Sequence, residues 1–412
     1  MSGSGRVVRA AFVGGPMYDP LYEAIPAFEA GSGYRVEVLA RLPHPELNAF
    51  VKDAFDRGTP HIDLLSTHTK YAPSQAEWLA PLDTVLADDD QKDLLDRPRE
   101  LSRIGGHLLQ CPRNLDVRLL HFRRDLFENP REQAAFERER GRPLAVPSTW
   151  AELAEVADFF TRPGLYGFLF PGRDSGLFGT FYEMLVGAGG ALFDEALRPA
   201  FDSSAGAWAA GTIADLHHVR RVTPSHLSAW HYDEISAAFR AGEAAMVCDW
   251  PGSYHLYKDR ATCAVWDRVG LAPLPAGPAG IRAAYAGCHS FAIANDAANP
   301  DGAAALLRHL TSFEAQLGEA RRGAIPCRAS ALSSIRLEAH ADAVETRRWA
   351  LLADAETTMI IPPRFAAYPR CEDTIWRGIQ DAMEGRCSPR EAVARAAAAI
   401  QPIVGIQAAV ES

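Results

Sequence analysis

The chain has 412 residues, of which 48% are hydrophobic and 23% charged, an ordinary composition for a globular protein. Its length exceeds what one hydrophobic core supports and predicts two or three domains. Lys and Arg number 42 against 52 Asp and Glu, which gives a net charge of −10. This charge argues against a nonspecific nucleic-acid binder and against an anionic membrane surface as the main partner.

No apolar run reaches transmembrane length, and no signal-peptide pattern opens the chain. Residues 1–5 are followed at once by a stretch that is typical of a first strand. We interpret these five residues as replacing a removed leader, with a native cytosolic start as the alternative. The seven cysteines include no C-x-x-C pair, which disfavours zinc-ribbon and thioredoxin-like sites. They predict small buried residues, with one or two disulfides if the compartment is oxidising.

The first third of the chain predicts alternating strands and helices. Strands are expected over 7–13, 34–39 and 61–66, and apolar spacing predicts helices over 21–30 and 47–55. This order implies a parallel sheet with right-handed crossovers. A long extended stretch then follows over 108–122, with a break predicted at Pro112.

The remaining two thirds continue as a mixture of helices and strands. Ser148 or Thr149 is expected to cap a helix, with Glu152 completing a capping-box spacing. Pro389 suits the first position of a C-terminal helix. The other predicted elements are strands over 164–170, 269–275 and 291–294 and helices over 175–187, 205–219, 301–312 and, as two or three segments, 374–410.

The segment 239–254 carries the clearest functional signal. A helix ends near Gly242, an apolar strand follows, and the strand leads into Asp249, Trp250 and Tyr254. Ligands of α/β proteins bind at the carboxyl ends of strands. A carboxylate accepts hydrogen bonds from sugar hydroxyls, and flat rings cover the apolar faces of a pyranose. The alternative is that the tryptophan is part of the core.

Nine segments together resemble a known family, the extracellular solute-binding proteins (family 1) of ABC sugar importers, which contains maltose-binding protein. The resemblance covers nearly the whole chain, and each segment is weak by itself. The segments, in order, are 28–38, 62–66, 80–83, 147–153, 187–193, 239–246, 269–275, 290–293 and 385–392.

The resemblance implies a two-lobed α/β periplasmic-binding-protein fold, each lobe a mixed sheet flanked by helices. Its lobes would be discontinuous, with 1–111 and 276–322 in the N-terminal lobe and 112–275 and 323–412 in the C-terminal lobe. Hinges are expected near 111–118, 269–275 and 323–328. A saccharide would bind in the cleft between the lobes and favour the closed state, which the transmembrane subunits of an ABC permease would recognise. A monomer in the periplasm or another extracytoplasmic compartment is expected, with no cofactor and no metal.

Strand ends and the resemblance together select the candidate ligand residues. Each has a structural alternative, such as an ordinary turn, a helix cap, a hinge network, a solvated loop or a packed aromatic. Cys288 departs from the paired glycines that are usual at its position, which puts close ligand approach there in doubt, and His289 is a possible compensation. The candidates are Tyr18, Ser66, Thr67, His68, Asn114, Asp116, Arg173, Trp230, Asp249, Trp250, Tyr254, His289, Arg364 and Tyr368.

Other functions are less well supported by the sequence. The chain has no H-E-x-x-H, G-x-S-x-G or P-loop motif. Asp116 and Asp249 could flank a glycosidic bond as in a glycoside hydrolase, but nothing indicates a pair with tuned pKa values. Polyamine or iron capture is a further alternative, although the scattered tyrosines disfavour iron. A neutral sugar is favoured over a sugar acid, because Asp116 and Asp249 would repel a carboxylate.

Overall fold

The structure is a computed structural model that describes residues 6–338, 342–354 and 357–411. Residues 1–5, interpreted above as replacing a leader, lie outside the described residues. The strands are β1 (Val7–Val13), β2 (Arg35–Leu42), β3 (Leu64–His68), β4 (Arg103–Ile104), β5 (His107–Leu108), β6 (Cys111–Val117), β7 (Leu119–Arg123), β8 (Tyr166–Leu169), β9 (Ala244–Asp249), β10 (Val269–Ala272), β11 (Ala284–Ile293), β12 (Ile325–Pro326) and β13 (Met359–Ile360).

Helices surround these strands along the whole chain, and a π-helical turn, Asp215–Val219, directly continues one of them, α11. The α-helices are α1 (Asp19–Glu23), α2 (Ile25–Ser32), α3 (His44–Arg57), α4 (Ala72–Gln75), α5 (Asp88–Asp93), α6 (Asp96–Leu101), α7 (Arg124–Phe127), α8 (Pro130–Arg140), α9 (Trp150–Phe160), α10 (Asp174–Gly187), α11 (Ser204–Ala214), α12 (Tyr232–Arg240), α13 (Tyr254–Tyr257), α14 (Pro300–Leu310), α15 (Phe313–Ala320), α16 (Ala329–Leu337), α17 (Ala343–Asp354), α18 (Tyr368–Met383) and α19 (Pro389–Glu411).

The chain forms two compact units. Among the described residues, the first unit contains 6–116, 287–338 and 364–366. The second contains 117–286, 342–354, 357–363 and 367–411. Both units are therefore discontinuous in sequence.

The first unit is built on a mixed sheet with the strand order β12–β6–β11–β3–β1–β2. Strand β1 pairs in parallel with β2 and with β3, which confirms the parallel start. Its buried residues alternate between two cores, with Phe12 in one and Val13 in the other. Helices α2 and α14 pack on the first face, and α3 packs on the second. A strand buried on both faces is typical of the centre of such a sheet.

The long extended stretch is broken at a different residue from the one predicted. Strand β6 runs through Pro112 as far as Val117, and β7 starts at Leu119. The prediction of a break at Pro112 is wrong because this proline is the second residue of the strand, where a missing N–H is tolerated. The main-chain pairing of β6 with β12 begins beyond it, at Asn114 and Leu115.

The second unit contains a four-stranded sheet in the order β10–β7–β9–β8. Strand β9 pairs in parallel with β8 and antiparallel with β7. The capping box predicted for α9 is present, since the Thr149 hydroxyl accepts from the Glu152 N–H and the Glu152 carboxylate accepts from the Thr149 N–H. Helix α10 is buried along nearly its whole length.

The division between the units differs at several points from the expected lobe boundaries. Residues 276–286 fall in the second unit, and 112–116, 323–338 and 364–366 fall in the first. The segment expected as a hinge at 269–275 begins with β10, which pairs with β7 inside the second unit. The chain passes into the first unit only at Gly287, within the continuous strand β11. The hinge positions themselves stay a prediction. Across the described part of the chain, none of the helices is both long enough and apolar enough to span a bilayer.

Candidate functional site

Three histidines of the first unit lie side by side. His68 ends β3 and is the direct cross-strand partner of His289 on β11, with ring centroids 5.3 Å apart. His44 begins α3, immediately after β2, and its Nε2 lies 2.5 Å from His289 Nδ1. Residues far apart in sequence are thus brought to one place by the antiparallel pairing of β3 with β11.

The other nitrogen of His289 faces a carboxylate and a phenol. His289 Nε2 lies 3.0 Å from Asp116 Oδ2 and 3.1 Å from the Tyr18 hydroxyl. The Asn114 amide donates to the same Asp116 oxygen at 2.9 Å. We call the six residues of this group the polar cluster: Tyr18, His44, His68, Asn114, Asp116 and His289. Five were predicted, and His44 was missed although it lies just beyond the end of β2.

A glycine makes the close approach of His68 possible. A Cβ added to Gly287 would lie 2.2 Å from His68 Nε2, so no other residue fits there without displacing the ring. The next residue, Cys288, is fully buried, with its sulfur 3.4 Å from that of Cys327. Close approach in this part of β11 is therefore made at Gly287, and the small side chain of Cys288 is buried in the unit.

His68 stays neutral at physiological pH. Burial lowers its pKa well below the usual value, and the neighbouring His289, Lys70 and His44 lower it further. The Lys70 main-chain N–H donates to His68 Nδ1 at 3.2 Å, which leaves the ring proton on Nε2. The polar cluster therefore combines a neutral imidazole with a carboxylate, an amide and a phenol, a mixture of donors and acceptors.

The other polar candidates of the first unit differ in whether their side-chain atoms have hydrogen-bond partners. The Thr67 hydroxyl donates to the Gln75 side chain at 2.5 Å and accepts from Gln110 at 3.3 Å, so it is engaged within the core. Ser66 Oγ and Asn114 Oδ1 are buried and find no hydrogen-bond partner among the described residues. Buried polar atoms are nearly always paired, so these two are the better candidates for contact with a ligand.

An aromatic group of the second unit surrounds the predicted tryptophan. Trp250 follows the last residue of β9 and is half-buried. Its ring centroid lies 5.1 Å from that of Tyr232 and 6.1 Å from that of Tyr285. We call Tyr232, Trp250 and Tyr285 the aromatic group. Tyr285 was not singled out in the sequence, because nothing local to 285 indicates that its ring packs beside residue 250.

Three predicted ligand residues of the second unit are buried in its interior and form hydrogen bonds there. Asp249 is 1% exposed, its Oδ1 accepts from the Trp250 N–H at 2.7 Å, and its Oδ2 accepts from the Tyr257 hydroxyl. Tyr254 and Tyr368 are also buried, and their hydroxyls donate to Asp342 at 2.5 Å and Glu372 at 2.6 Å. These contacts favour structural roles, which the residue types alone could not distinguish from ligand contacts.

Burial has a measurable consequence for Asp249. It raises the pKa of this carboxyl to about 6, against lowering contributions from the hydrogen bonds of Tyr257, Trp250 and Ser253. A carboxyl with this pKa and both oxygens occupied is poorly suited to accept a bond from a ligand.

The last three candidates make other contacts. Trp230 packs edge-on against His226 at 4.9 Å. Arg364 donates to the Leu101 carbonyl, and Arg173 Nη1 lies 3.5 Å from Asp174. Neither the polar cluster nor the aromatic group includes any of them. Over the described ranges, no group of His, Cys, Asp or Glu side chains is arranged to hold a metal ion.

Comparison with known proteins identifies the family to which the chain belongs. Residues 14–317 match the family described as bacterial extracellular solute-binding protein, and the chain belongs to this family. Its members are solute-binding transport proteins that act outside the cytoplasm, in agreement with the family resemblance of the sequence.

One solved structure and two curated relatives illustrate the match. T. maritima MalE3 with maltose bound is 24% identical, with a TM-score of 0.86 over 96% of this chain and 99% of that chain. This likeness confirms the predicted periplasmic-binding-protein fold, with mixed sheets flanked by helices. A probable ABC transporter-binding protein of Deinococcus radiodurans is 27% identical over 52% of this chain and 49% of its own length. A probable amino-acid ABC transporter periplasmic-binding protein of Sinorhizobium fredii is 26% identical over 47% and 44%. The chain spans about half the length of these curated relatives.

Proposed function

We propose that this protein is the binding component of an ABC importer, and that it captures a neutral saccharide between its two units and delivers it to the membrane permease. The ligand would contact both units and so favour a closed form over an open one. The permease would recognise the closed form, and no covalent chemistry on the ligand is needed. We expect a monomer in an extracytoplasmic compartment.

The observation that carries this proposal is that each unit, taken by itself, offers side chains suited to a sugar. The first unit offers the polar cluster, which can exchange hydrogen bonds with several hydroxyl groups. The second unit offers the half-buried ring of Trp250, which suits the apolar face of a pyranose. The maltose bound to the similar T. maritima protein supports a sugar as the ligand class.

The engagement of the arginines supports a neutral rather than an acidic ligand. Arg113 donates to Glu319 at 2.9 and 3.1 Å, and Arg328 pairs with Asp90 and Asp93. Arg282 and Arg364 donate to main-chain carbonyls. For these four arginines, bidentate recognition of a carboxylate would require an existing contact to break.

An amino acid is the second candidate ligand, suggested by the Sinorhizobium fredii relative. Its carboxylate would need a cationic partner and its ammonium an anionic one. Asp116 already contacts His289 and Asn114, and Arg113 is paired, which favours the neutral sugar. Polyamine binding and glycoside hydrolysis remain as outcomes of the test.

A thermal-shift screen tests the proposal. The panel contains glucose, maltose, longer maltodextrins and sugar alcohols, with glucuronate, amino acids and putrescine as competing classes. A ligand at about 100 times its Kd stabilises the native state by about 2.7 kcal/mol, which gives a clear shift in melting temperature. Stabilisation by a neutral sugar, recovered intact by chromatography after long incubation, supports the proposal. Stabilisation only by an acid, an amino acid or putrescine, or conversion of the sugar into product, would overturn it.

A further inference from the structure

An ion pair lies fully inside the second unit, next to the aromatic group. Arg118, between β6 and β7, and Glu183, on α10, are both 0% exposed. The Arg118 Nε donates to Glu183 Oε1 at 2.9 Å, and its Nη2 donates to Glu183 Oε2. A buried pair of this kind contributes little net stability compared with apolar residues of the same size, so its presence calls for another explanation.

Both neighbours of Trp250 are attached to this pair. The Tyr232 hydroxyl accepts from Arg118 Nη1 at 3.2 Å. The Tyr285 main-chain N–H donates to Glu183 Oε1 at 2.7 Å, and its carbonyl accepts from the Arg118 main-chain N–H at 3.1 Å. The Arg118 guanidinium also lies 5.9 Å from the centre of the Tyr285 ring. Tyr232 is thus held through its side chain and Tyr285 through its backbone.

The packing around Tyr285 leaves its ring little freedom. A Cβ added to Gly179 of α10 would lie 2.6 Å from the Tyr285 ring, so the ring rests directly on the helix backbone at this glycine. The same helix carries Glu183. Helix α10, the Arg118–Glu183 ion pair and the two tyrosines are therefore linked by direct contacts, and both tyrosine rings pack against Trp250.

We propose that Arg118 is a positioning residue for ligand recognition, which fixes Tyr232 and Tyr285 and through them the orientation of the Trp250 ring. The inference rests on the proposed function, because Trp250 is taken as the surface on which the sugar stacks. Arg118 does not touch the ligand. Its fork of donors holds the Tyr232 hydroxyl and the Glu183 carboxylate at once, and this carboxylate in turn accepts from the Tyr285 main-chain N–H. A lysine cannot reproduce the fork.

The main test compares two tyrosine-to-phenylalanine variants. Tyr232→Phe removes the hydroxyl that accepts from Arg118 and leaves the ring against Trp250. Tyr182→Phe is the matched control, because this buried tyrosine lies on α10 and its hydroxyl donates only to the Ile361 carbonyl, at 3.3 Å, among the contacts described for it. Affinity is measured by calorimetry with the best sugar of the screen, well below the melting temperature of both variants. We expect affinity to fall about threefold to tenfold in Tyr232→Phe, the range for the loss of one ordinary hydrogen bond, and to be unchanged in Tyr182→Phe.

A second variant separates positioning from direct contact. Arg118→Lys keeps the positive charge beside Glu183 but loses the fork, and it should fold and bind more weakly than the parent. If Tyr232 acts through Arg118, the double variant should bind no more weakly than Arg118→Lys alone. Additive losses would mean that Tyr232 contacts the sugar itself, which overturns the inference. Unchanged affinity in both single variants would do the same, whereas a parent protein that binds no sugar would refute the proposed function instead.

Discussion

The buried carboxyl of Asp249 makes the pH dependence of stability a test of this structure. Its pKa is raised from 3.8 to about 6 by burial, so the folded state binds its proton more tightly than the unfolded state does. Between these two pH values the folded protein holds more protons than the unfolded chain. The free energy of unfolding therefore falls as pH rises through this window.

The size of this change in stability follows from the shift in the pKa of Asp249. A difference of about 2 pKa units at 1.36 kcal/mol each corresponds to about 3 kcal/mol of stability that is present below pH 4 and lost above pH 6. Asp249→Asn removes this titration. Its amide oxygen can still accept from the Trp250 N–H, and its nitrogen can donate to the Tyr257 oxygen. We therefore expect the variant to gain stability relative to the parent as pH rises, by up to about 3 kcal/mol between pH 4 and pH 7.

Urea unfolding followed by circular dichroism, at half-unit steps from pH 4 to pH 8, measures this difference. The control is Asp89→Asn, at a side chain that is 97% exposed, which reports the general effect of removing one acidic charge. A constant difference between Asp249→Asn and the parent at every pH would refute the assignment of Asp249 to the buried interior. Sugar affinity measured on the same variant decides its role in binding. A fall of tenfold or more would restore Asp249 as a ligand acceptor.

Three further predictions concern the site, acid stability and the thiols. Trp250→Ala should weaken sugar binding by about 1–3 kcal/mol in calorimetry and change the free energy of unfolding by less. The control Trp266→Ala, at an exposed ring, should bind as the parent does. Equal affinities of Trp250→Ala and the parent would assign Trp250 to the core. Burial lowers the pKa of His121 from 6.5 to about 3, so the contribution of the neutral imidazole to stability is present above pH 6.5 and is lost as pH falls. Between pH 7 and pH 5, His121→Phe should therefore lose about 2 kcal/mol less stability than the parent. Parallel pH profiles of the two proteins would contradict this. Six of the seven cysteines are buried and Cys387 is half-buried, so a thiol reagent should modify one cysteine rapidly in the native protein and seven after denaturation; fewer than seven without reductant would reveal a disulfide.

Much of the local structure was predictable because its causes are local. Strand β1 has the predicted bounds, since its largely apolar run is followed directly by Gly14 and Gly15. The cap of α9 needs only Thr149 and Glu152 at the right spacing. The break at Pro112 was misplaced because the tolerance of a strand for proline depends on which partner strand pairs beside it.

The sequence by itself determined the class of fold, the family and most of the residues of the polar cluster. These properties depend on periodicity, capping and the order of motifs, all of which can be read directly from the linear sequence. Only the tertiary structure decided which candidates lie close together. The pairing of β3 with β11 joins His68 to His289, burial assigns Asp249 and Tyr368 to the interior, and Arg118 meets Glu183 across the second unit. The physical reason is that burial and electrostatic pairing depend on contacts between distant segments, and residue type alone does not specify which segments meet.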